Sequence, residues 1–364
     1  MKKMNLIGLT VQELEAFVTG LGEPKYRAAQ MFAWLNKFRV HSFEEMTNLP
    51  QAFRDALAES AEIALPAIAA EQESHLDGTR KFLFTLEDGL KVESVSIPPR
   101  EEAIDAETRQ TLCISTQIGC PLDCRFCATA TMGYLRNLTA SEIVGQVMAV
   151  QDASPKPVTN IVFMGMGEPM LNYDNVMKAV EVLTSHTGMA FSPRRITIST
   201  AGYATMIRRM ADEDRKVKLA LSLHSLRDEV RRELMPVTKK FPVAQLLEAL
   251  EYYTKKTKKS VMLEYIVFEG VNDTPADIAL LTKAARRIDC RINLIPFHSI
   301  AFTDPEGISA TLKGASRREI DAFALKLREA GIPVFVRNSA GVDIDAACGQ
   351  LAVKTQRSKS KSRT

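Results

Sequence analysis

The sequence predicts an α/β protein: a partial (β/α)6-type barrel with a small helical domain and a β-hairpin extension in front of it. Three observations carry that expectation. From Thr111 onward, short β-branched apolar runs alternate with amphipathic helical stretches. Between Lys81 and Ile97 the apolar period is two, and from Thr10 to about Pro66 it is that of a helix. A chain of 364 residues accommodates one large domain with appendages.

The helical part comes first. Leu9, Val11, Leu14, Phe17, Val18 and Leu21 recur at helical spacing until Gly22-Glu23-Pro24 breaks them. A second helix is expected over Ala28 to Phe38, and a third from about Pro50 to Leu65. Lys81 to Leu86 and Leu90 to Ile97 alternate and are joined by Glu87-Asp88-Gly89, a hairpin turn. Arg100 to Arg109 reads as a charged connector. Strands are then expected at 111–115, 160–164, 195–199, 218–222, 261–268, 291–296 and 333–337. Helices are expected between them at 140–153, 175–185, 243–257, 274–288 and 315–330. Thr139 or Ser141, with Glu142 following, supplies a cap for the first of these. Repeated strand–helix units argue for a parallel sheet with helices outside, and six or seven units suit a full or partial barrel. The expected divisions are 1–70 (helical, accessory), 71–110 (hairpin and connector), 111–351 (barrel core with a C-terminal cysteine loop) and 352–364 (a disordered basic tail).

Composition excludes some classes. Hydrophobic residues make up 46% and charged residues 25%, a globular balance and not that of a disordered chain. No run of about 18 apolar residues occurs, so no membrane span is expected. The N-terminus meets Glu13 and Glu15 without a small-residue cleavage site, which reads as the start of a cytoplasmic chain. Lys354, Arg357, Lys359, Lys361 and Arg363 crowd the C-terminus; removing those five cations from a formal charge of +3 leaves −2. Affinity for nucleic acid must therefore come from that tail or from local patches, with Lys239-Lys240, Lys255-Lys256, Lys258-Lys259 and Arg194-Arg195 as candidates.

Chemistry is concentrated in cysteine. Cys120-Pro-Leu-Asp-Cys124-Arg-Phe-Cys127 is a C-x3-C-x2-C run just after the first barrel strand, poor spacing for a disulfide framework and good spacing for a metal or redox site. Three close thiolates can hold three irons of a cubane cluster and leave the fourth open. The alternative is a structural zinc completed by Cys113, Cys348 or a histidine, although only one C-x2-C pair is present. Gly167 and Glu168 follow the second strand, Ser199 ends the third, Ser222-Leu223-His224 ends the fourth and His298 follows the sixth. Each alone reads as an ordinary loop residue. Together they lie at the C-terminal ends of strands, which in a barrel meet at one mouth.

This cysteine spacing, with Phe126 before the last Cys, resembles the radical S-adenosylmethionine superfamily. The resemblance implies a [4Fe–4S] cluster on Cys120, Cys124 and Cys127, with S-adenosylmethionine chelating the open iron. It also implies reductive cleavage of that cofactor to a 5′-deoxyadenosyl radical. By the same resemblance Gly167, Glu168, Ser199, Ser222, Leu223, His224 and His298 contact the cofactor, Glu168 through its amino group. Thr111-Leu-Cys113-Ile-Ser-Thr-Gln-Ile-Gly-Cys120, Val92-Glu93-Ser94-Val95, Asn293-Leu-Ile-Pro-Phe297, Gly341 to Leu351 and Gly22 to Gln30 further resemble the RlmN family of dual-specificity RNA methyltransferases. That family methylates adenine C2 in 23S rRNA and tRNA. The resemblance implies a methyl-carrying Cys348, a resolving Cys113 that forms a transient disulfide with it, and Glu93 as proton acceptor. Without the resemblance, Cys113 and Cys348 read equally as core and Glu93 as a solvent-facing strand residue; Cys290 matches no motif and is expected in the core. His298 departs from the family, which commonly has Asn there; both side chains can donate and accept hydrogen bonds. The implied partners are 23S rRNA and tRNA, which must present an unstacked adenine, and an electron donor such as flavodoxin or ferredoxin. A cytoplasmic monomer is expected. Two other functions remain open: a different radical enzyme of the superfamily, or a zinc-stabilised RNA-binding protein.

Overall fold

The computed structural model describes residues 3–99 and 109–353. Most of the charged connector and the basic tail from Lys354 lie outside the described residues. The chain opens with β1 (Met4–Asn5) and α1 (Val11–Gly20), whose N-cap Thr10 forms a capping box with Glu13. α2 (Tyr26–Ala33) continues into a π-helical turn at Trp34–Phe38, and α3 (Gln51–Ser60) follows. Leu14, Val18, Met31, Phe32, Phe53 and Leu57 are buried between these helices. β2 (Ala61–Glu62) ends the third helix earlier than its period suggests and pairs with β1 in parallel, Met4 opposite Ala61.

Next come β3 (Ala67–Glu73), β4 (Arg80–Thr85) and β5 (Lys91–Ile97), paired antiparallel in that order. The expected hairpin is present, but the extension has a third strand that straddles residue 70. β3 is exposed along its whole length, so no alternation of burial marks it in the sequence.

The barrel follows. Its strands are β6 (Thr111–Cys113), then, after the small hairpin β7 (Gln117–Gly119) and β8 (Tyr134–Asn137), β9 (Asn160–Phe163), β10 (Ile196–Thr200), β11 (Lys218–Ser222), β12 (Val261–Val267), β13 (Cys290–Pro296) and β14 (Val334–Val336). The helices are α4 (Ala140–Ala153), α5 (Tyr173–Thr184), α6 (Ala204–Asp212), α7 (Asp228–Leu234), α8 (Val243–Thr257), α9 (Pro275–Arg287), the short α10 (Ile308–Thr311) and α11 (Arg317–Glu329). The hairpin β7–β8 and helices α6, α7 and α10 are additions to the expected set. Thr139 caps α4 in a capping box with Glu142, as the sequence indicates.

One ten-stranded sheet runs in the order β14-β13-β12-β11-β10-β9-β6-β5-β4-β3. From β6 to β14 the neighbours are parallel. The free side of β6 is taken by β5, antiparallel, with Val95 opposite Cys113. Among the described residues β6 and β14 do not pair, so the parallel set stays a partial barrel. Residues alternate across each strand. On β12, Tyr265 faces the helices and stacks on Phe323 of α11 (centroids 5.8 Å apart), while Ile266 joins an apolar nest at the mouth.

Candidate active site

The cysteine loop leaves β7 and is fastened on several sides. The Cys120 amide donates to the Gly133 carbonyl at 2.9 Å, and the Arg125 amide to the Leu234 carbonyl at the end of α7, also at 2.9 Å. The Ala128 amide donates to Gly349 O at 2.7 Å, which ties the loop to the C-terminal segment. Phe126 is buried with Leu234, Met235, Ile266, Phe268 and Ile295, and Cys124 and Cys127 pack against this nest. Burial pushes all three thiols up, and Cys124 is raised further by Cys127 and Cys120. Three thiols so placed favour binding a positively charged iron core, which relieves their mutual repulsion. Among the described residues no three His, Cys, Asp or Glu side chains converge as a single ion requires. A tetrahedral zinc with Zn–S bonds near 2.3 Å would draw its sulfurs to roughly 3.8 Å. A cubane carries each thiolate on a separate iron, so this donor set fits the cluster.

The expected cofactor contacts surround that loop at the strand ends. Glu168 is buried; its Oε1 accepts from Met170 N at 3.0 Å and its Oε2 from Ala201 N at 2.8 Å. Burial lifts its pKa to about 6 against those bonds. Gly167 has φ +100°, and a β-carbon there would come within 2.6 Å of Gln117. The missing side chain lets the 165–168 loop close onto β7. Ser199 and Ser222 are half-buried. Leu223 has its side chain in the core, so only its backbone can face a cofactor. His224 adopts φ +54°, and its Nδ1 accepts from Ile266 N at 3.0 Å. Burial pushes its pKa down to about 3, so the ring is neutral. That ring meets Phe126 edge-on, centroids 4.6 Å apart, so it buttresses the cysteine loop.

A separate cavity of about 60 Å³ adjoins Cys127 and is lined by Cys113, Cys348, His298, Arg337 and Ser339 among others. Cys113 and Cys348, far apart in sequence, share it. Burial pushes the Cys113 thiol up to about 12; Cys348 adds to the rise and Arg337 opposes it. His298 is half-buried, and its Nε2 hydrogen-bonds Ser339 Oγ. Val95 and Ile97 of β5 line the cavity, and Glu93 shares their face of the strand. Glu93 is buried, with its Oε1 3.7 Å from Lys81 Nζ and its Oε2 without a hydrogen-bond partner. Burial raises its pKa and Lys81 opposes the rise. The solvent-facing alternative for Glu93 is thereby excluded. Cys290 is in the core, paired with Val261.

Two polar residues here had no signal in the sequence. Arg337 leaves β14 toward Cys348, whose nearness raises the Arg337 pKa most. Glu264 on β12 is buried and accepts from Asn293 Nδ2 at 2.7 Å. Polar side chains inside a barrel mimic the alternation of a solvated strand, which hides them.

The basic pairs are mostly not at the mouth. Lys255-Lys256 stand in the last turn of α8, and Arg194-Arg195 and Lys258-Lys259 lie in segments that follow a helix and precede a strand, all at the far end of the barrel. Lys256 pairs with Asp212, and Lys255 lies 3.8 Å from Glu251. Of the four candidates only Lys239-Lys240, between α7 and α8, lies on the mouth side.

Comparison with known proteins agrees with this geometry. Residues 114–281 match the Radical SAM superfamily, and residues 4–63 match the ribosomal RNA large subunit methyltransferase N-terminal domain. The chain is 44% identical over 357 residues to a probable dual-specificity RNA methyltransferase RlmN of Flavobacterium johnsoniae, covering 97% of this chain and 98% of that one. It is 41% identical over 363 residues to the dual-specificity RNA methyltransferase RlmN of Marinobacter nauticus, covering 98% and 94%. A solved radical SAM methyltransferase from Sphaerobacter thermophilus superposes with a TM-score of 0.85 at 39% identity, covering 95% of this chain and 98% of that one.

Proposed function

This chain belongs to the RlmN family of radical S-adenosylmethionine methyltransferases, and we propose on that basis that it methylates C2 of adenine in 23S rRNA and in tRNA. The observation that carries the reading is the cavity shared by Cys113 and Cys348 beside Cys127. Neither a zinc-stabilised binding protein nor a radical enzyme of another kind gives that thiol pair a task.

The [4Fe–4S] cluster and S-adenosylmethionine, when bound, supply a radical able to take hydrogen from a methyl group. Cys120, Cys124 and Cys127 hold the cluster, and the Phe126 nest keeps water from it. Glu168 orients the cofactor's amino group. Cys348 accepts a methyl group at sulfur, which is a strong nucleophile as the thiolate; Arg337 is the cation beside it. The methyl carbon later bonds to adenine C2. Glu93, whose raised pKa suits a base working near neutral pH, takes the C2 proton. With the adduct's odd electron passing back to the cluster that Cys120, Cys124 and Cys127 would hold, Cys113 attacks the Cys348 sulfur: an S–S bond forms, the S–C bond breaks with its electron pair on carbon, that carbon takes up a proton to complete the methyl group, and methylated RNA leaves. A cellular dithiol reduces the disulfide before the next cycle. A flavodoxin- or ferredoxin-type donor supplies electrons, and the chain works as a cytoplasmic monomer. No described helix is long and apolar enough to cross a membrane.

Mass spectrometry tests the carrier role. The purified protein should bear a methyl group on Cys348, and RNA from cells with the gene should contain 2-methyladenosine that is absent without it. Cys348→Ala should keep about four irons per chain with acid-labile sulfide yet form no 2-methyladenosine. A Cys348→Ala enzyme that still methylates C2 would refute the assignment.

A further inference from the structure

Helix α7 carries a charge that the chemistry above leaves unused. Arg231 is fully buried. Its Nε donates to Leu223 O at 3.0 Å, Nη1 to Thr238 Oγ1 at 2.7 Å, and Nη2 to Ala201 O at 2.5 Å and Ser222 O at 3.1 Å. All four acceptors are uncharged. Its neighbour Arg227 has Asp277 at 2.9 Å, but no carboxylate lies within ion-pair distance of Arg231 among the described residues; the charges it feels are Cys124 first and Asp228, one turn back on α7, second. Burial lowers its pKa only to about 10, so it stays cationic at neutral pH. A buried cation without a counter-charge is expensive, and one whose charge is matched by a bound anion is not.

Its position says which anion. One turn further along α7, Leu234 O accepts the Arg125 amide of the cysteine loop. Leu234 and Met235 share the apolar nest against which Cys124 packs, and the Cys124 thiol feels the Arg231 charge. The carbonyls that Arg231 holds belong to the ends of β10 and β11, where Ser222 and Leu223 face the cofactor.

We propose that Arg231 is a positioning residue that acts as the built-in counter-charge of the three-thiolate cluster, favouring its reduced state while clamping the ends of β10 and β11 beneath the cofactor. The inference rests on the cluster reading above. Reduction adds one negative charge to the cluster, and a nearby cation in a low-dielectric setting favours that state.

The test is an anaerobic, dithionite-driven redox titration of the reconstituted full chain, followed by electron paramagnetic resonance, with iron and sulfide counted for each variant. Arg231→Met should lower the reduced-to-oxidised ratio at a fixed potential at least about tenfold, equivalent to roughly 59 mV for a one-electron couple. Arg231→Lys keeps the charge and should stay within about threefold of the parent although it loses hydrogen bonds. Thr238→Asp keeps the guanidinium in place and sets a carboxylate against it, so it should lower the ratio too; Thr238→Val, which removes the same hydroxyl without adding charge, should not. The Thr238 pair decides the matter if Arg231→Met does not fold. An unchanged ratio in the charge-cancelling variants, or an equal fall in Thr238→Val and Thr238→Asp, overturns the proposal. A parent protein that holds no iron or sulfide overturns the cluster reading itself, a distinguishable result.

Discussion

Gly119 stands immediately before Cys120, with φ +69°, and a β-carbon built there would lie 1.7 Å from the Gly133 carbonyl oxygen. That oxygen belongs to the backbone of the β7–β8 hairpin and accepts the Cys120 amide at 2.9 Å. Gly119→Ala therefore incurs two costs. Holding alanine in the left-handed region takes about 1–2 kcal/mol. Moving the carbonyl away breaks the bond to Cys120 and forces a shift of the hairpin backbone, together a further ~2–3 kcal/mol. Gly89, in the exposed hairpin turn, has φ +78° and nothing within 4 Å of the same construction. Gly89→Ala should show the first cost alone. Urea unfolding of both apo-variants, with iron and sulfide counted after reconstitution, separates the two. We expect Gly119→Ala to lose about 3–5 kcal/mol and most of its iron, while Gly89→Ala loses about 1–2 kcal/mol and loads normally. A Gly119→Ala chain that loads iron like the parent and unfolds with Gly89→Ala would refute the fit of the cysteine loop described here.

Glu93, raised above its usual range by burial with Lys81 opposing, keeps its proton in the folded protein at pH values where the unfolded chain has lost it. Stability should fall as pH rises from the ordinary Glu pKa through the raised one, and the slope should lessen in Glu93→Gln, with Glu168 and Glu264, also raised by burial, supplying the remainder; thermal unfolding across pH 4 to 8 reads this, and the same variant should accumulate protein–RNA adduct on a denaturing gel. His298→Ala should weaken S-adenosylmethionine binding by up to about tenfold, the worth of one hydrogen bond, and His298→Asn should recover it to within about threefold by equilibrium dialysis. Thr139→Ala removes the oxygen that accepts from Glu142 N at 3.2 Å and should cost about 1 kcal/mol in urea unfolding.

Elements with a regular apolar pattern are legible in the sequence. α8 runs over the expected residues because it presents one apolar face to the sheet, α4 because its apolar run from Ile143 to Val150 is buried on all sides behind a capping box, and the barrel strands because both their faces are covered. β3 escaped because water bathes both its faces. α7 escaped because Arg231, Arg232 and Glu233 look like a solvated surface, whereas Arg231 is fully buried. The cysteines, Glu168 and the strand-end serines were legible because chemistry restricts their residue types. Arg231, Glu264 and Arg337 act by facing inward, and inwardness is a property of the folded chain. Glu93 became a candidate only through family resemblance; the β5 face it shares with Val95 and Ile97 supplies the physical reason.

The loop that presents Cys348 is moored largely outside the barrel. Ser74 Oγ donates to Asp343 Oδ1 at 2.7 Å, the His75 amide to Asp343 Oδ2 at 3.0 Å, the Gly341 amide to Asp77 Oδ2 at 2.8 Å and Lys81 Nζ to Asp345 O at 3.4 Å. All of those anchors sit in the β3–β4 portion of the extension. A stripped barrel would therefore retain the iron-binding loop and its bond to Gly349 but lose these four restraints on the carrier sulfur's loop. Grafting this reaction onto a minimal scaffold would mean transplanting the antiparallel flap together with the terminal segment, because the flap carries these four moorings of that segment.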